Sequence, residues 1–358
     1  MPAPIADAVS LALTGFLSDQ TRIVAAIDPD LAELTGTLAE FTAGGKRLRP
    51  AFCHQGWLGA GGDPALLDES ASPTPVVRAC AALDLLHASA LIHDDLMDDS
   101  DTRRGRPATH VRYSRRHGER GLTGHAGRFG ASAAILLGDL SQAWADELLR
   151  TCGLQSDRVL EGLRCFDIMR TEVITGQYLD VLAQTDPETT LDRAMRVLRF
   201  KSARYSVMRP LELGGVLAGA DEALLRVYRE VGEPIGEAFQ LRDDVLGVFG
   251  DPAVTGKPAG DDVREGKRTV LVLLARQGAD ADQLAVLDHW LGNPSMTDEG
   301  ADEVRRVMTD TGALDRVEAM ITTRTEDAVS ALSCAPLEGD DVAGSLAALA
   351  VAATARTV

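Results

Sequence analysis

The segment Leu91-Ile92-His93-Asp94-Asp95-Leu96-Met97-Asp98 sets three carboxylates into an apolar run, and Phe239-Gln240-Leu241-Arg242-Asp243-Asp244 brings a second acidic pair far downstream. Leu83, Leu85, Leu86, Leu91, Ile92 and Leu96 surround the first cluster. On a helix, positions four, seven and eleven apart share a face, so His87, Asp94 and Asp98 line up, with Asp98 one turn beyond Asp94. Gln240 falls one turn before Asp243 and Asp244. Most acidic runs are solvated charged faces. Here the apolar surroundings predict a mostly buried helix, and buried carboxylates without a cation are costly. Mg²⁺ suits them, because it takes oxygen ligands and shares its shell with phosphate and water. Together the two clusters predict two walls of one binuclear or trinuclear site.

The basic residues point the same way. Of 36 lysines and arginines only four are lysine, namely Lys46, Lys201, Lys257 and Lys267, and each lies in a Gly-, Asp- or Arg-rich segment. Where arginine is the default cation, a compact ammonium on a flexible stem is a candidate partner for phosphate. Arg103-Arg104, just past the first cluster, can clamp phosphate oxygens or form ordinary salt bridges to Asp98, Asp99 or Asp101. Acid clusters with placed lysines predict Mg²⁺ and diphosphate.

With a net charge of −18, the chain lacks the basic surface that binds nucleic acid. Five widely spaced cysteines, with no Cys-x-x-Cys pair, read as reduced core residues of a cytoplasmic protein. No basic stretch precedes the N-terminal apolar residues, and no uncharged apolar run reaches the ~18 residues that span a bilayer. The reading is a protein with no signal peptide and no stable membrane anchor.

Apolar residues are 45% and aromatics 4% of the chain, and Ala and Leu recur without long β-branched runs, which favours helices. The spacing predicts one or two amphipathic helices over Ile5 to Glu40, a break at Gly44-Gly45, and a helix from Val76 to Asp99. An irregular loop is expected from Tyr113 to Gly130, rich in glycine and arginine. Helices follow over 131–152, 157–184, 190–217 and 220–249. A loop carrying two lysines spans 250–266, the polar 278–301 region interrupts, and helices resume to Ala355. The economical reading is all-α: one domain over 1–358, with a motif-bearing core at about 40–275 and C-terminal helices at about 301–355.

Seven ordered blocks over roughly residues 40 to 275 make this chain resemble the trans-isoprenyl diphosphate synthase (polyprenyl synthetase) family, and bacterial geranylgeranyl diphosphate synthases in particular. They are Gly44-Gly45-Lys46-Arg47-Leu48-Arg49-Pro50; His87 with Leu91 through Asp98; Arg103-Arg104-Gly105; Gly176-Gln177-Tyr178-Leu179-Asp180; Lys201-Ser202; Phe239-Gln240 with Asp243-Asp244; and Gly256-Lys257-Pro258 to Lys267-Arg268-Thr269. The resemblance implies a single-domain helical bundle of isoprenoid-synthase type around a deep central cavity, and a homodimer. It implies head-to-tail condensation of isopentenyl diphosphate with dimethylallyl, geranyl or farnesyl diphosphate, with up to three Mg²⁺ ions. Asp94, Asp98 and Asp243 would hold metal, with Asp95 and Asp244 supporting. Gly45, Lys46, Arg49 and His87 would hold isopentenyl diphosphate, and Arg103 and Arg104 substrate diphosphates. Lys201, Lys257 and Lys267 would contact the allylic substrate, and Ser202, Gln177 and Gln240 the forming carbocation.

One position departs from that pattern. The second cluster lacks its third aspartate, because residue 247 is glycine, and Asp251 lies further along. Product length in such proteins is set by bulk below the first cluster, where Ser89 and Ala90 stand with Ala88 beside them. Small residues there let a chain grow past C15 or simply allow close helix packing. Geranylgeranyl diphosphate (C20) is the expected product, with C15 and C25 or longer as alternatives. A terpene cyclase is disfavoured because no Asn, Ser and Glu motif at four-residue steps is present; a non-catalytic subunit is disfavoured because nearly all motif residues are retained.

Overall fold

The computed structural model describes residues 3–250, 260–333, 335–339 and 341–354. It is all-α apart from one two-stranded hairpin. The chain divides into two compact units, one of Met1–Arg164 with Leu213–Asp221, the other of Cys165–Glu212 with Glu222–Val358.

The first unit is built around α4 (Pro75–Met97), whose Val77, Cys80, Leu83, Leu85 and Ile92 are fully buried. Before it come α1 (Ala3–Ile27), α2 (Ala32–Thr42) and α3 (Leu48–Gly59). After it come the hairpin of β1 (Thr102–Arg103) and β2 (Arg106–Pro107), then α5 (Thr109–Glu119) and α6 (Ala126–Arg150). Helix α6 packs closely on α4 because Gly138 leaves room for the His93 ring, and Ser141 Oγ donates to the Leu85 carbonyl at 2.8 Å. That hydroxyl satisfies itself inside an apolar contact. Helix α7 (Ser156–Thr185) starts in this unit, and α9 (Arg209–Ala218) returns to it with Gly214 pressed on the backbone of Cys53 and Trp57.

The second unit centres on α10 (Glu222–Phe249), whose Leu241, Val245 and Val248 pack with Leu271 and Leu274 of α11 (Val270–Gly278). The same core takes in Leu287 of α12 (Ala281–Trp290), Val304 and Met308 of α13 (Asp298–Asp310), and Val317 and Ile321 of α14 (Ala313–Leu332). Helix α15 (Val342–Thr354) follows. Between α8 (Leu191–Val197) and α9 the helix widens into a π-helical segment over Leu198–Met208.

Three expectations change. The Tyr113–Gly130 segment is mostly helix, because Thr109, Tyr113 and His117 bury one face at four-residue spacing and the loop shrinks to 120–125, where Gly121 and Gly124 have positive φ. Gly278–Ala301 contains α12, started by a capping box in which Asp280 and Gln283 each satisfy the other's backbone N–H. The 190–217 stretch is interrupted by the π-helical turns. Pro75–Met97 is long and apolar enough to cross a membrane, yet 72% of its apolar window is buried inside the protein, as befits a core helix.

Candidate functional site

In the first unit the phosphate-type residues gather around the end of α4. Gly44 and Gly45 have φ of +75° and +89°, conformations that glycine adopts without strain, and they lead the chain into α3. Arg47, also left-handed at φ 47°, turns inward rather than outward. Its guanidinium meets Asp84 of α4 at 2.5 Å and donates to the Thr42 carbonyl at 2.7 Å, with both charged side chains nearly buried. This fixes the loop to α4, leaving Lys46 exposed and Arg49 half-buried on either side. Burial pushes the Asp84 carboxyl up, and Arg47 opposes the shift.

His87 is held well below the ordinary imidazole range, first by burial and then by the positive charges of Arg49, Arg104 and Arg103. A neutral ring offers an N–H to an anion without adding to the local charge. Arg104 sits at the hairpin turn with φ 52°, followed by Gly105 at 72°, and its guanidinium lies 3.4 Å from where a side chain on Gly45 would begin. Burial and the neighbouring Arg103 lower the proton affinity of Arg104. Three arginines and a neutral histidine are thus close enough to interact within an acidic chain, an arrangement that can attract an anion.

The three carboxylates at the end of α4 do different things. Asp95 is fully buried and grips Arg103, whose Nε donates to Asp95 Oδ1 at 2.8 Å. Asp94 and Asp98 are half-buried one turn apart, and the Asp98 N–H closes the helix on the Asp94 carbonyl. Asp94 and Asp98 are therefore the pair presented outward, while Asp95 orients the arginine. Ser89 is 2% exposed and lies on the α6-facing side of α4, in line with His93 over Gly138. Ala90 is less buried and falls one turn before Asp94.

In the second unit α7, the π-helical segment and α10 are brought together by glycines. A Cβ on Gly176 would lie 2.5 Å from the Lys201 nitrogen, and one on Gly232 would lie 2.7 Å from Met208 Cα. Lys201 Nζ donates to Asp180 of α7 at 2.6 Å. Gln177 and Ser202 are half-buried beside these contacts. On α10, Gln240 Nε2 donates to Asp244 Oδ1 at 2.8 Å, Asp244 is buried and Asp243 is exposed. Burial raises the Asp244 carboxyl well above its ordinary range, against the Gln240 hydrogen bond, with Asp262 and Asp243 adding to the rise. Lys267 meets Asp262 at 3.3 Å and Glu265 at 2.5 Å. Lys257 and Asp251 lie outside the described residues.

Sequence reasoning missed three of these residues. Arg47 and Asp84 form the internal tie that positions Lys46 and Arg49; an aspartate inside an apolar helix was the available signal. Asp262 is the third. Its carboxylate occupies the space directly over Gly247, where a side chain on residue 247 would overlap Asp262 Oδ2. Arg242, between the two motif halves, is tied bidentately to Glu318 of α14 at 2.6 Å.

The donors fit a hard divalent cation, since Asp94, Asp98, Asp243 and Asp244 offer only oxygen. Among the described residues no group of three or more His, Cys, Asp or Glu is arranged to hold a metal by itself. Each pair, Asp94 with Asp98 in the first unit and Asp243 with Asp244 in the second, suits an ion that takes its remaining ligands from diphosphate and water.

Comparisons with known proteins give the family of this chain. The family model "Polyprenyl synthetase" matches residues 32–309. The geranylfarnesyl diphosphate synthase of Aeropyrum pernix is 32% identical over 87% of this chain and 89% of its own. A geranylgeranyl diphosphate synthase of Saccharolobus solfataricus is 32% identical over 75% of this chain and 74% of its own. A solved geranylgeranyl pyrophosphate synthase of Corynebacterium glutamicum, complexed with isoprenyl diphosphate and magnesium, is 38% identical with a TM-score of 0.92, covering 99% of both chains.

Proposed function

This chain belongs to the polyprenyl synthetase family and is a trans-prenyltransferase, and we propose that it is a geranylgeranyl diphosphate synthase condensing isopentenyl diphosphate with allylic diphosphates. The observation that carries the site assignment is the arginine cluster around neutral His87 beside Asp94 and Asp98: an anion site next to oxygen donors for a cation. The family model takes in residues of both compact units, which supports treating 1–358 as one functional domain.

Arg49, His87 and Lys46 bind the diphosphate of isopentenyl diphosphate, and Arg103, oriented by Asp95, and Arg104 grip diphosphate oxygens. Lys201 and Lys267, set by Asp180 and by Asp262 with Glu265, balance the charge that develops as the allylic carbon–oxygen bond breaks. Asp94, Asp98, Asp243 and Asp244 would hold up to three Mg²⁺ ions; when bound, magnesium supplies charge neutralisation for departing pyrophosphate. The isopentenyl double bond then attacks the allylic cation, and the resulting cation gives up a proton to the departed pyrophosphate. Gln177, Ser202 and Gln240 offer dipoles to the cation.

The C20 product is favoured by Ala90, which carries no bulk on the Asp94 face, and by relatives named for C20 and C25 products. Cytoplasmic residence is supported by four described cysteines that are all buried and outside any disulfide. A homodimer is supported by large exposed apolar side chains, Ile135 and Leu136 on α6 and Ile168, Ile174 and Leu182 on α7.

Asp94→Ala and Asp243→Ala test the assignment. Each is expected to cut kcat with isopentenyl and farnesyl diphosphates by about 10²–10³, the usual cost of losing one preorganised charge-stabilising group. Near-normal turnover in either variant removes that residue from the metal site.

A further inference from the structure

We infer that Arg199, Arg204 and Arg209, with the glutamates they share, are positioning residues that hold the π-helical segment in the register that presents Lys201. The inference rests on the reading of Lys201 as a contact to the allylic diphosphate. The three arginines recur at five-residue steps. In an α-helix of about 3.6 residues per turn, successive members would point about 140° apart. In a π-helix the backbone hydrogen bond itself joins residues five apart, so they rise one above the other. The Arg209 N–H donates to the Arg204 carbonyl in this way.

Each successive pair of arginines shares one carboxylate. Glu233 of α10 receives Arg199 Nε at 3.0 Å and Arg204 Nε at 2.9 Å. Glu172 of α7 receives Arg204 Nη1 at 3.0 Å and Arg209 Nε at 2.7 Å. Glu237, 3% exposed, takes Arg199 again at 2.7 Å and Arg324 of α14 at 2.8 Å. Burial would raise the Glu172 carboxyl, yet Arg209 and Arg204 hold it below its ordinary value, so the ladder is ionic. The helices that supply the carboxylates also make room for the segment. On α7, Glu172, Gly176 and Asp180 follow at four-residue steps on one face. The first takes two arginines, the second admits the Lys201 backbone, and the third accepts from Lys201 Nζ at 2.6 Å. On α10, Gly236 stands between Glu233 and Glu237 and presses on the Ala203 carbonyl. Most π-helices are single turns, so an 11-residue stretch needs support from outside itself. Without the shared carboxylates it would relax toward an α-helix and turn Lys201 away from Asp180.

Steady-state kinetics of the full chain with farnesyl and isopentenyl diphosphates test this, with thermal melting as a check on folding. Glu233→Gln keeps the size of the side chain and removes the shared charge. It is expected to raise KM for farnesyl diphosphate about tenfold, the contribution of one hydrogen bond to a charged group, and to leave KM for isopentenyl diphosphate within about twofold. A merely structural loss would lower kcat without separating the two KM values. Lys201→Ala should raise the same KM, and the double variant should add little, because Glu233 acts through Lys201. If Glu233→Gln does not fold, Arg204→Lys takes its place, since it keeps the charge but lacks the fork that reaches two glutamates. An unchanged KM for farnesyl diphosphate, an equal rise in both KM values, or additive losses in the double variant overturns the proposal. If Lys201→Ala leaves KM for farnesyl diphosphate unchanged, the Lys201 assignment fails and the positioning role with it, whereas a rise in Lys201→Ala alone removes only the ladder.

Discussion

Arg47→Met cuts the tie between the glycine loop and α4, and its cost follows from the geometry. The Arg47 and Asp84 side chains are only 6% and 9% exposed, so solvent screening does little to weaken their pairing. Removing one partner of a buried ion pair costs about 3–5 kcal/mol, because the other charge is left stranded. The donation to the Thr42 carbonyl, worth about 1 kcal/mol, goes as well. Asp84 limits the loss by taking a proton, and this gives the variant a pH signature. Its folded carboxyl is already raised above the ordinary 3.8, so its contribution is fully present below that pH and is lost as pH rises through the folded value. Without Arg47 the folded value rises further, so the penalty of the variant grows as pH rises above the ordinary carboxylate range. Urea denaturation at rising pH measures it. In Arg47→Met/Asp84→Leu most of the loss should return, since an apolar pair leaves no buried charge. A penalty below about 1 kcal/mol at pH 8, or one independent of pH, would refute this account of the tie.

Acid should loosen the first unit through its histidines. His54 is buried and held at about 4 in the folded state against 6.5 unfolded, so its contribution is present above 6.5 and lost as pH falls toward 4. The loss reaches about 2 kcal/mol at pH 5, and His54→Gln should flatten the profile of melting temperature against pH there. Chain length separates the two small residues of α4: Ala90→Phe, on the Asp94 face, should shift product from C20 toward C15. Ser89→Phe, on the face against α6, should overpack and lower stability by about 1–3 kcal/mol, as thermal melting will show. Equal shortening by both variants would place the α6-facing side of α4 in the tunnel as well.

The helices carrying the acidic clusters were legible because their signals are local: an apolar background, one-turn spacing and strong breakers at Gly44-Gly45. Helix α5 was hidden by its composition, since its arginines and glycines outweighed the Thr109, Tyr113 and His117 stripe that buries it. The π-helical turns around Lys201 were not legible either. They pack against Gly176, Gly232 and Gly236, which are separate in sequence and meet this segment only in the fold. At the candidate site the residue types and their chemistry could be read directly, whereas the division of labour could not. Asp95 looks like its neighbours in sequence, yet burial and Arg103 give it an orienting role. Asp262 was invisible because its contacts with Gly247 and Lys267 form only in the fold.

Product analysis tests the central claim most directly. The purified protein with Mg²⁺ and isopentenyl diphosphate, primed in turn with dimethylallyl, geranyl and farnesyl diphosphate, should give a ladder that ends at C20 from every primer. Failure to elongate any of the three, in protein that is folded, would contradict the assignment as a chain-elongating synthase.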